Sequence, residues 1–342
     1  MRVLNAMAGA HHGGAEAFFE RLSIGLASAG VEQKVIIRKD ADRADRLRAG
    51  GGEVTQLPFG GLLDFCTPFA LRKICRTYRP DVVMTWMNRA TRMMPTGDYS
   101  FVARLGGYYD LKYYRRCDHL IGNTRDIVDY LIRQGWPADR AHYVPNFVSA
   151  DTAPPVSRAA HSTPDDVPLL LSLGRLHKNK AFDVLLAALP KIPNAVLWIA
   201  GDGPERDALQ VQAQKRGVLD RIRFLGWRQD VAALMATCDV YVCPSRHEPL
   251  GNVVIEAWAA SRPVVAAASQ GPLALIENGV SGLLAAVDSA DEMATQINQV
   301  LNNRDLAGEL AVNGYGEYES KFTEQIVVAQ YLDFFNRIVE AR

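Results

Sequence analysis

The sequence predicts an α/β protein with two domains, each built on a parallel β-sheet covered by helices. At 342 residues the chain exceeds what one ordinary hydrophobic core accommodates. Short apolar runs alternate with helical patterns along its whole length, as they do where helices join parallel strands. A segment rich in Pro, Ala, Ser and Thr and without periodicity, residues 151–167, separates two such series and is predicted to link them.

The first domain is predicted over residues 1–150. Its strand candidates are 3–8, 34–38, 54–59, 81–86, 101–105, 119–122 and 142–144. Helical patterns at 16–29, 69–78 and 125–134 fall between them. Gly30 and Gly135 stand where glycine commonly ends a helix, so two of these helices have predicted ends.

The second domain is predicted over residues 168–322. Its strand candidates are 169–173, 195–200, 222–225, 240–243, 264–267 and 282–285. The remaining segment, 323–342, repeats apolar residues at helical spacing and is predicted to be one long helix.

Charge is distributed unevenly between the two halves. Residues 1–148 hold 21 Lys and Arg against 15 Asp and Glu, a balance of +6, and the rest hold 17 against 23, a balance of −6. This asymmetry indicates an anionic partner for the first half, or else charge dispersed over its surface. No nucleic-acid-binding module accompanies the basic residues, so nucleic acid is not an expected partner.

The cysteines and the hydropathy pattern indicate a cytoplasmic protein. The five cysteines form no C-x-x-C pair, and their odd number favours reduced thiols. No apolar run approaches the roughly 20 residues that span a bilayer. Residues 1–10 resemble a signal peptide only superficially, because their apolar stretch is short and runs into a glycine loop.

Two glutamates eight residues apart, Glu248 and Glu256, flank a predicted turn from strand to helix. A helix beginning near Asn252 would offer unpaired N–H groups and its positive dipole end to an anion. Glu256, one turn into that helix, could accept hydrogen bonds from hydroxyl groups. A nucleoside diphosphate meets both requirements, since its diphosphate is anionic and its ribose carries hydroxyls.

Two cations follow the first strand of the second domain, in Gly174-Arg175-Leu176-His177-Lys178-Asn179-Lys180. Placed at the carboxyl end of a strand, Arg175 and Lys180 could neutralise the charge that builds on a departing diphosphate. The alternative is ordinary solvated loop charge, which is the interpretation adopted for Lys178.

Glycine turns follow three other predicted strands. Gly13-Gly14 opens a helix after the first strand, where backbone could approach a phosphate, although a tight turn needs the same glycines. Gly203 lies in a Gly-Asp-Gly-Pro turn, and Trp227 follows Gly226. The complete G-x-G-x-x-G fingerprint of NAD-binding proteins is absent, which argues against a dinucleotide cofactor.

Taken together, these motifs resemble those of the retaining family-4 glycosyltransferases of the GT-B fold, of the lipopolysaccharide-core and surface-glycan type. The E-x7-E signature at Glu248 to Glu256 is the most specific of them. The resemblance implies two Rossmann-like domains facing a cleft, with the helix at 323–342 crossing back onto the acceptor-side first domain. It implies metal-independent transfer of a hexosyl unit, with retained configuration, from a nucleotide sugar. The turn at Gly226-Trp227 is compatible with uracil or guanine, and a UDP-sugar is favoured over a GDP-sugar.

The resemblance also assigns roles to individual residues. It implies three catalytic residues. Glu248 lies beside the donor sugar, and Arg175 and Lys180 contact the diphosphate. The donor-binding residues that it implies are Gly13, Gly14, Gly203, Trp227, Leu250, Gly251, Asn252, Val253 and Glu256. The nucleotide sugar is then a co-substrate, and neither a cofactor nor a metal is expected.

The sequence departs from the family pattern at three places. Gly106-Gly107-Tyr108-Tyr109-Asp110 occupies the position where many relatives carry a cleft histidine, so no residue is assigned to that contact. Ala181 replaces a usual glycine, and Ala274 replaces a usual acidic residue. Asp40-Ala41-Asp42 has the D-x-D spacing of metal-dependent glycosyltransferases, but a solvated turn is the favoured interpretation, and no metal site is predicted.

The acceptor implied by the resemblance is a glycan or a lipid-linked glycan at the inner face of the cell membrane. Two segments, 69–79 and 108–116, interleave cations with apolar residues, as helices that lie on anionic lipid do. The alternative for each segment is an ordinary helix packed on its sheet. An anionic membrane surface, contacted peripherally, is therefore one expected partner.

Two other functions remain open at this point. A GT-B-fold nucleotide-sugar 2-epimerase would need acid–base groups at the sugar carbon, which the E-x7-E placement does not favour. A non-catalytic nucleotide-sugar binding protein is kept open by the missing cleft histidine.

Overall fold

The computed structural model describes residues 1–11, 13–61, 64–149 and 153–342. Within them the chain forms two compact units. Unit 1 comprises Met1–Phe147 together with Glu324–Arg342, and unit 2 comprises Val148–Thr323. The helix predicted at the end of the chain thus belongs to unit 1.

Unit 1 contains a seven-stranded sheet in the order β3-β2-β1-β4-β5-β6-β7, and every strand pair in it is parallel. Its strands are β1 (Arg2–Met7), β2 (Glu32–Arg38), β3 (Glu53–Leu57), β4 (Val82–Trp86), β5 (Ser100–Leu105), β6 (His119–Gly122) and β7 (Ala141–Tyr143). β1, β4 and β5 are buried along nearly their whole length, as expected for strands covered on both faces.

Helices cover both faces of this sheet. They are α1 (Gly14–Ser28), α2 (Ala41–Ala49), α3 (Cys66–Tyr78), α4 (Met87–Met93), α5 (Arg125–Arg133) and the last helix, α13 (Glu324–Glu340). One core packs α1, α2 and α13 on the sheet, and the other packs α3, α4 and α5 on the opposite face. The apolar face of α13 is buried in the first of these cores, which explains its helical repeat of apolar residues.

Unit 2 contains a six-stranded parallel sheet in the order β10-β9-β8-β11-β12-β13. Its strands are β8 (Leu169–Leu173), β9 (Val196–Ala200), β10 (Ile222–Gly226), β11 (Val240–Cys243), β12 (Val264–Ala267) and β13 (Leu283–Ala285). The helices are α6 (Phe182–Ala188), α7 (Arg206–Lys215), α8 (Val231–Thr237), α9 (Asn252–Ala259), α10 (Gln270–Leu275), α11 (Ala290–Asn302) and α12 (Arg304–Lys321).

The predicted fold class is confirmed: both units are parallel α/β sheets covered by helices. In each sheet the strand order reverses at the first strand of the unit, so that β1 lies between β2 and β4, and β8 lies between β9 and β11. Loops leaving neighbouring strands in opposite directions open a crevice at the carboxyl edge, where α/β proteins bind ligands. In unit 2 that position lies between the loops that follow β8 and β11.

The segment predicted to link the domains, 151–167, lies from residue 153 onward within unit 2, and residues 151 and 152 fall outside the described part of the chain. Its backbone is tied to that unit. Val156 N–H donates to Thr237 Oγ1 at 2.7 Å, and Arg158 donates to the Thr237 carbonyl at 3.0 Å and to Asp239 at 2.9 Å. The described part of this segment is therefore a packed edge of unit 2.

One predicted helix is wrong. Residues 108–116 form only a single 3₁₀ turn, Leu111–Tyr113, and the Tyr114 side chain is buried in the core. The aromatic residues of this segment face the protein, so they do not form a basic amphipathic helix. Among the described residues, no helix combines the length and the apolar character needed to cross a membrane.

Candidate active site

Lys180 and Glu248 form an ion pair at the carboxyl edge of the unit 2 sheet. Lys180 ends the loop after β8, and Glu248 lies in the loop after β11. Only 12% of the Glu248 side chain and 23% of the Lys180 side chain are exposed. Ser245 adds a hydrogen bond from its hydroxyl to Glu248 Oε2 at 3.3 Å. The pair therefore occupies the point of strand-order reversal, where a ligand is expected.

Close backbone contacts build the loop after β8. Gly174 has φ +147°, a conformation that side chains rarely adopt, and a Cβ there would lie 3.2 Å from Lys180 Cε. The aliphatic part of Lys180 thus packs across Gly174. Gly203 is pressed against the backbone of Leu176, since a Cβ at 203 would collide with the Leu176 carbonyl oxygen. Gly203 therefore supports the loop that carries Lys180.

Arg246 ties the loop after β11 to the loop after β8. Its guanidinium donates to both carboxylate oxygens of Asp183, at 2.8 and 2.6 Å, to the Lys178 carbonyl at 2.9 Å, and to Asp288. Burial works to raise the pKa of Asp183, but the hydrogen bonds and charge of Arg246 outweigh it and hold that pKa below its usual value. The His247 N–H donates to the Asn179 carbonyl at 3.1 Å, which gives a second link between the two loops.

Glu256, the second glutamate of the E-x7-E motif, lies on α9, which begins at Asn252 as the sequence predicts. Gly251 precedes the helix with φ +82°, and the Gly271 N–H donates to the Glu248 carbonyl at 2.7 Å. A Cβ at Gly271 would lie 2.6 Å from that carbonyl, so only glycine allows this approach. The first turn of α9 contains no acidic side chain, which leaves its positive end suited to an anion.

Glu248 and Glu256 both raise the pKa of one buried hydroxyl, that of Tyr241. Burial raises the pKa of Tyr241 well above its usual value, and the charges of Cys243, Glu256 and Glu248 raise it further. Burial also raises the pKa of Cys243 to about 11, with Glu248 adding to the shift and Lys180 opposing it. Neither group ionises near neutral pH, so neither adds a negative charge to this edge of the sheet.

Two of the predicted residues lie on the surface of unit 2. Arg175 is exposed and forms no ion pair with any described residue. Trp227 follows β10 and is 71% exposed, two strands away from β8 in the sheet. Leu250 is buried and Val253 is partly buried, on either side of Gly251 and Asn252. The pair Lys180 and Glu248, with the start of α9, forms the centre of the site.

The glycine loop of unit 1 holds a carboxylate of its own chain. Glu16 folds back from the first turn of α1, where it accepts a hydrogen bond from the Ala10 N–H at 2.8 Å. A Cβ on Gly13 would collide with Glu16 Oε2, whereas a Cβ on Gly14 would meet nothing within 4 Å. The glycine at 13 therefore makes room for Glu16, and any phosphate at this loop would share it with that carboxylate.

The D-x-D segment has a structural role. Asp40 caps α2 by accepting a hydrogen bond from the Arg43 N–H at 3.1 Å, and its carboxylate lies 3.1 Å from Arg43 Nη1. Burial works to raise the pKa of Asp40, but the Arg43 backbone hydrogen bond and the charges of Arg43 and His11 lower it below its usual value. Helix capping accounts for this aspartate.

Sequence reasoning missed Ser245, Arg246 and Asp183. Ser245 follows Pro244 directly after β11, so its place at a strand end was the only available signal. Arg246 and Asp183 are 63 residues apart in the chain, and no local pattern pairs them. Their roles depend on the neighbouring positions of two loops in the folded unit.

Comparison with known sequences identifies the family. The family model described as "Glycosyl transferases group 1" matches residues 155–317, and that described as "Glycosyltransferase Family 4" matches residues 12–152. The chain is 36% identical over 324 residues to the lipopolysaccharide core biosynthesis glycosyltransferase LpsE of Rhizobium meliloti, covering 94% of this chain and 95% of that protein. It is 34% identical over 348 residues to LpsD of the same organism, covering both chains fully.

Solved structures show the same fold. The crystal structure of Anabaena HepE in complex with UDP superposes with a TM-score of 0.85 at 22% identity, covering 98% of this chain and all of that one. The lipopolysaccharide outer core galactosyltransferase WaaB has a TM-score of 0.73 at 18% identity, with 98% and 100% covered. By sequence and by fold, the chain belongs to the family 4, group 1 glycosyltransferases of the GT-B fold.

Proposed function

We propose that this glycosyltransferase moves a hexosyl unit from a nucleoside diphosphate sugar, with UDP preferred over GDP, to a glycan or lipid-linked acceptor of cell-surface polysaccharide, with retained anomeric configuration. The observation that carries the donor assignment is the Lys180–Glu248 pair beside the start of α9. In the proposed complex, the ammonium group of Lys180 and the N-terminus of α9 both bind the diphosphate. The LpsE and LpsD similarities support an acceptor in lipopolysaccharide core synthesis.

The proposed donor geometry distributes the ligand over the two loops and α9. The diphosphate is bound by the backbone N–H groups from Leu250 to Val253, and Glu256 accepts hydrogen bonds from the ribose hydroxyls. Glu248 lies on the sugar side. Lys180 and the exposed Arg175 stabilise the negative charge that develops on the leaving diphosphate, which lowers the barrier because that charge is larger in the transition state.

The proposed reaction needs no cofactor and no metal, because protein cations and backbone dipoles take the role of a metal at the diphosphate. The proposed leaving group itself accepts the acceptor proton on the same face of the sugar, as the family resemblance implies. Membership of a glycosyltransferase family favours transfer over the 2-epimerase alternative. A nucleotide sugar incubated with the protein alone separates the two, since an epimerase converts it without acceptor.

The donor assignment is tested by isothermal titration with UDP, GDP and ADP and with their glucose conjugates. UDP is expected to bind most tightly, and a Glu256→Ala variant is expected to lose most of that affinity. Unchanged affinity in that variant, or equal binding of all three nucleotides, would refute the assignment. Release of UDP with an acceptor pool then distinguishes a transferase from a silent binding protein.

We further propose that unit 1 contacts an anionic membrane surface through α3 at the cytoplasmic face. Phe65 and Phe69, at the start of this helix, are 76% and 71% exposed, and Arg72 and Arg76 follow at helical spacing. Arg72 and Arg76 also line a cavity of about 700 Å³ with three other arginines, Arg2, Arg79 and Arg342. Exposed aromatics beside clustered cations suit the boundary between acyl chains and acidic headgroups.

Sedimentation with vesicles of phosphatidylglycerol and phosphatidylcholine tests the membrane proposal. Binding is expected at low salt and is expected to fall at high salt, and Phe65→Ser with Phe69→Ser should abolish it. The matched control is Val211→Ser with Val312→Ser, which removes two exposed apolar side chains from unit 2. Equal sedimentation of both double variants would overturn the assignment to α3.

A further inference from the structure

Unit 1 buries a guanidinium that has no carboxylate beside it. Arg104, on β5, is 4% exposed and forms no ion pair with any described residue. Its Nε donates to the Tyr331 hydroxyl at 3.2 Å, and its Nη2 donates to Asn146 Oδ1. The Phe18 and Trp86 rings lie 4.7 and 4.5 Å from its Cζ. These neutral partners orient the guanidinium but do not neutralise its charge. Burying an unpaired charge in a protein interior lowers the free energy of unfolding.

The remaining nitrogen of Arg104 points to an open space above Gly106. A Cβ on Gly106 would lie 3.7 Å from Arg104 Nη1 and 3.7 Å from Asn123 Nδ2, with no closer heavy atom. Asn123 is itself buried, and its Nδ2 is the second side-chain nitrogen within 4 Å of that position. Two side-chain nitrogens, one on β5 and one just after β6, therefore lie within 4 Å of the position that a side chain at 106 would fill.

This space lies at the ligand-binding edge of the unit 1 sheet. Arg104 pairs in register with Trp86 at the carboxyl end of β4, one strand from the point where the strand order reverses. Asn123 lies just before Thr124, the residue that caps the first turn of α5. The positive end of that helix adds to the attraction for a negative group.

We propose that Arg104 and Asn123 bind an oxyanion of the acceptor, the carboxylate or phosphate of an acidic sugar. An oxygen placed above Gly106 would accept from Nη1 and Nδ2 and would supply the counter-charge that Arg104 lacks. The proposal rests on the proposed function in one respect, because it takes the ligand to be the group that receives the donor sugar. It adds that this group is acidic.

The indole N–H resonance of Trp86 reports on this site, because Trp86 packs against Arg104 and its Nε1 donates to Asn5 Oδ1 at 2.8 Å. The full-length protein, labelled with ¹⁵N, is titrated with galacturonate and separately with galactose, which differ in the carboxylate. Galacturonate is expected to shift the Trp86 signal and galactose is not. Inorganic phosphate is expected to compete with galacturonate.

Variants at the open space provide the decisive comparison. Gly106→Val fills the space, and Asn123→Asp places a carboxylate beside the guanidinium; each is expected to weaken galacturonate binding about tenfold or more. Gly107→Ala is the matched control, because a Cβ there would meet only the Tyr109 ring. A Trp86 signal that galacturonate leaves unmoved, or that shifts equally in Gly106→Val, would overturn the proposal.

UDP provides the arm that separates this proposal from the donor assignment. UDP is expected to leave the Trp86 signal in place and to bind the Gly106→Val variant with unchanged affinity. If UDP shifts Trp86 and competes with galacturonate, the oxyanion at Arg104 is the donor diphosphate and the acceptor assignment is wrong. Loss of UDP binding in Glu256→Ala remains an independent result.

Discussion

Lys180 and Glu248 form an ion pair although 68 residues separate them in the chain. They meet because β8 and β11 are neighbours in the sheet, so that their following loops leave the same edge. Ser245 and the Arg246–Asp183 contact hold the carboxylate side of the pair, and Gly174 and Gly203 hold the ammonium side.

Lys180→Ala is expected to lower kcat more than it raises the KM for the donor. The ammonium interacts most strongly with the diphosphate when its charge is largest, in the transition state. A loss of about a hundredfold in kcat is in the range for removing one charged transition-state contact. Steady-state kinetics with a radiolabelled UDP-sugar measures both constants.

Lys178→Ala is the matched control for Lys180. Lys178 lies in the same 3₁₀ turn but is exposed, and only its backbone carbonyl contacts Arg246. Its removal is expected to leave kcat within about twofold, as for an ordinary surface substitution. Equal losses in both variants would mean that the general charge of the turn, rather than Lys180, supports catalysis.

Glu256→Ala is expected to raise the donor KM about tenfold to a hundredfold with a smaller change in kcat. The ribose hydroxyls bind equally in the ground state and the transition state, so their loss weakens binding without slowing chemistry. Glu309→Ala, on α12 and exposed, controls for the removal of one negative charge. A donor KM unchanged from wild type would remove Glu256 from the donor site.

Arg246→Ala is expected to lower kcat/KM about tenfold without removing any group that contacts the donor. Arg246 holds the Glu248 loop against Asp183 and the Lys178 carbonyl, so its loss leaves Glu248 less well positioned. The kcat/KM of Arg246→Lys is expected to lie between those of the wild type and Arg246→Ala, because lysine keeps the charge but cannot form the two parallel hydrogen bonds to Asp183.

Arg228→Ala controls for the loss of a surface arginine. Arg228 pairs with Asp230, two residues away, outside the Lys180–Glu248 site. Its substitution is expected to leave kcat/KM unchanged, as isolated exposed pairs contribute little. A tenfold loss there as well would assign the Arg246 effect to charge at long range.

Ala181→Gly is expected to leave the stability of the protein within about 1 kcal/mol of wild type, although it removes a fully buried methyl group. Ala181 has φ +52°, a left-handed conformation that costs an alanine roughly 1–2 kcal/mol and a glycine almost nothing. Part of the gain is lost to the greater freedom of glycine in the unfolded chain. Ala187→Gly, inside α6, is expected to destabilise by about 1 kcal/mol. Chemical denaturation of both variants measures the contrast.

Stability is expected to fall as the pH drops from about 6.5 toward 4. Burial lowers the pKa of His142 to about 4, with the charges of His119 and Arg337 adding to the shift, and burial lowers the pKa of His119 as well. The unfolded chain therefore binds protons in this window that the folded chain does not, so acid favours unfolding. The stability is fully present above the unfolded pKa near 6.5.

The unfolding midpoint across this pH range measures the effect. His142→Phe is expected to flatten the pH dependence, because a phenylalanine keeps the ring contact with Phe334 but cannot be protonated. A pH dependence as steep in His142→Phe as in the wild type would exclude the histidine pair as its cause.

Most of the fold could be predicted from the sequence because it depends on local patterns. Many of the strands appear as apolar runs, and the helices predicted at 16–29, 69–78, 125–134 and 323–342 appear as 3.6-residue repeats, so local patterns give the element type and order of much of the chain. The start of α9 at Asn252 was also predictable from the glycine before it. The prediction of a helix over 108–116 was wrong because the same aromatic residues fit two structures, the apolar face of a helix and a loop that packs on the core.

The amino-acid sequence by itself determined the parallel α/β class, the two domains and the residue types that suit a nucleotide sugar. Only the tertiary structure decided that Lys180 pairs with Glu248, that Glu16 fills the glycine loop of unit 1 and that Arg104 lies buried without a carboxylate. The physical reason is that these three relationships depend on strand order and on which side chains share one edge of a sheet. Such long-range neighbours leave no periodic trace along the chain.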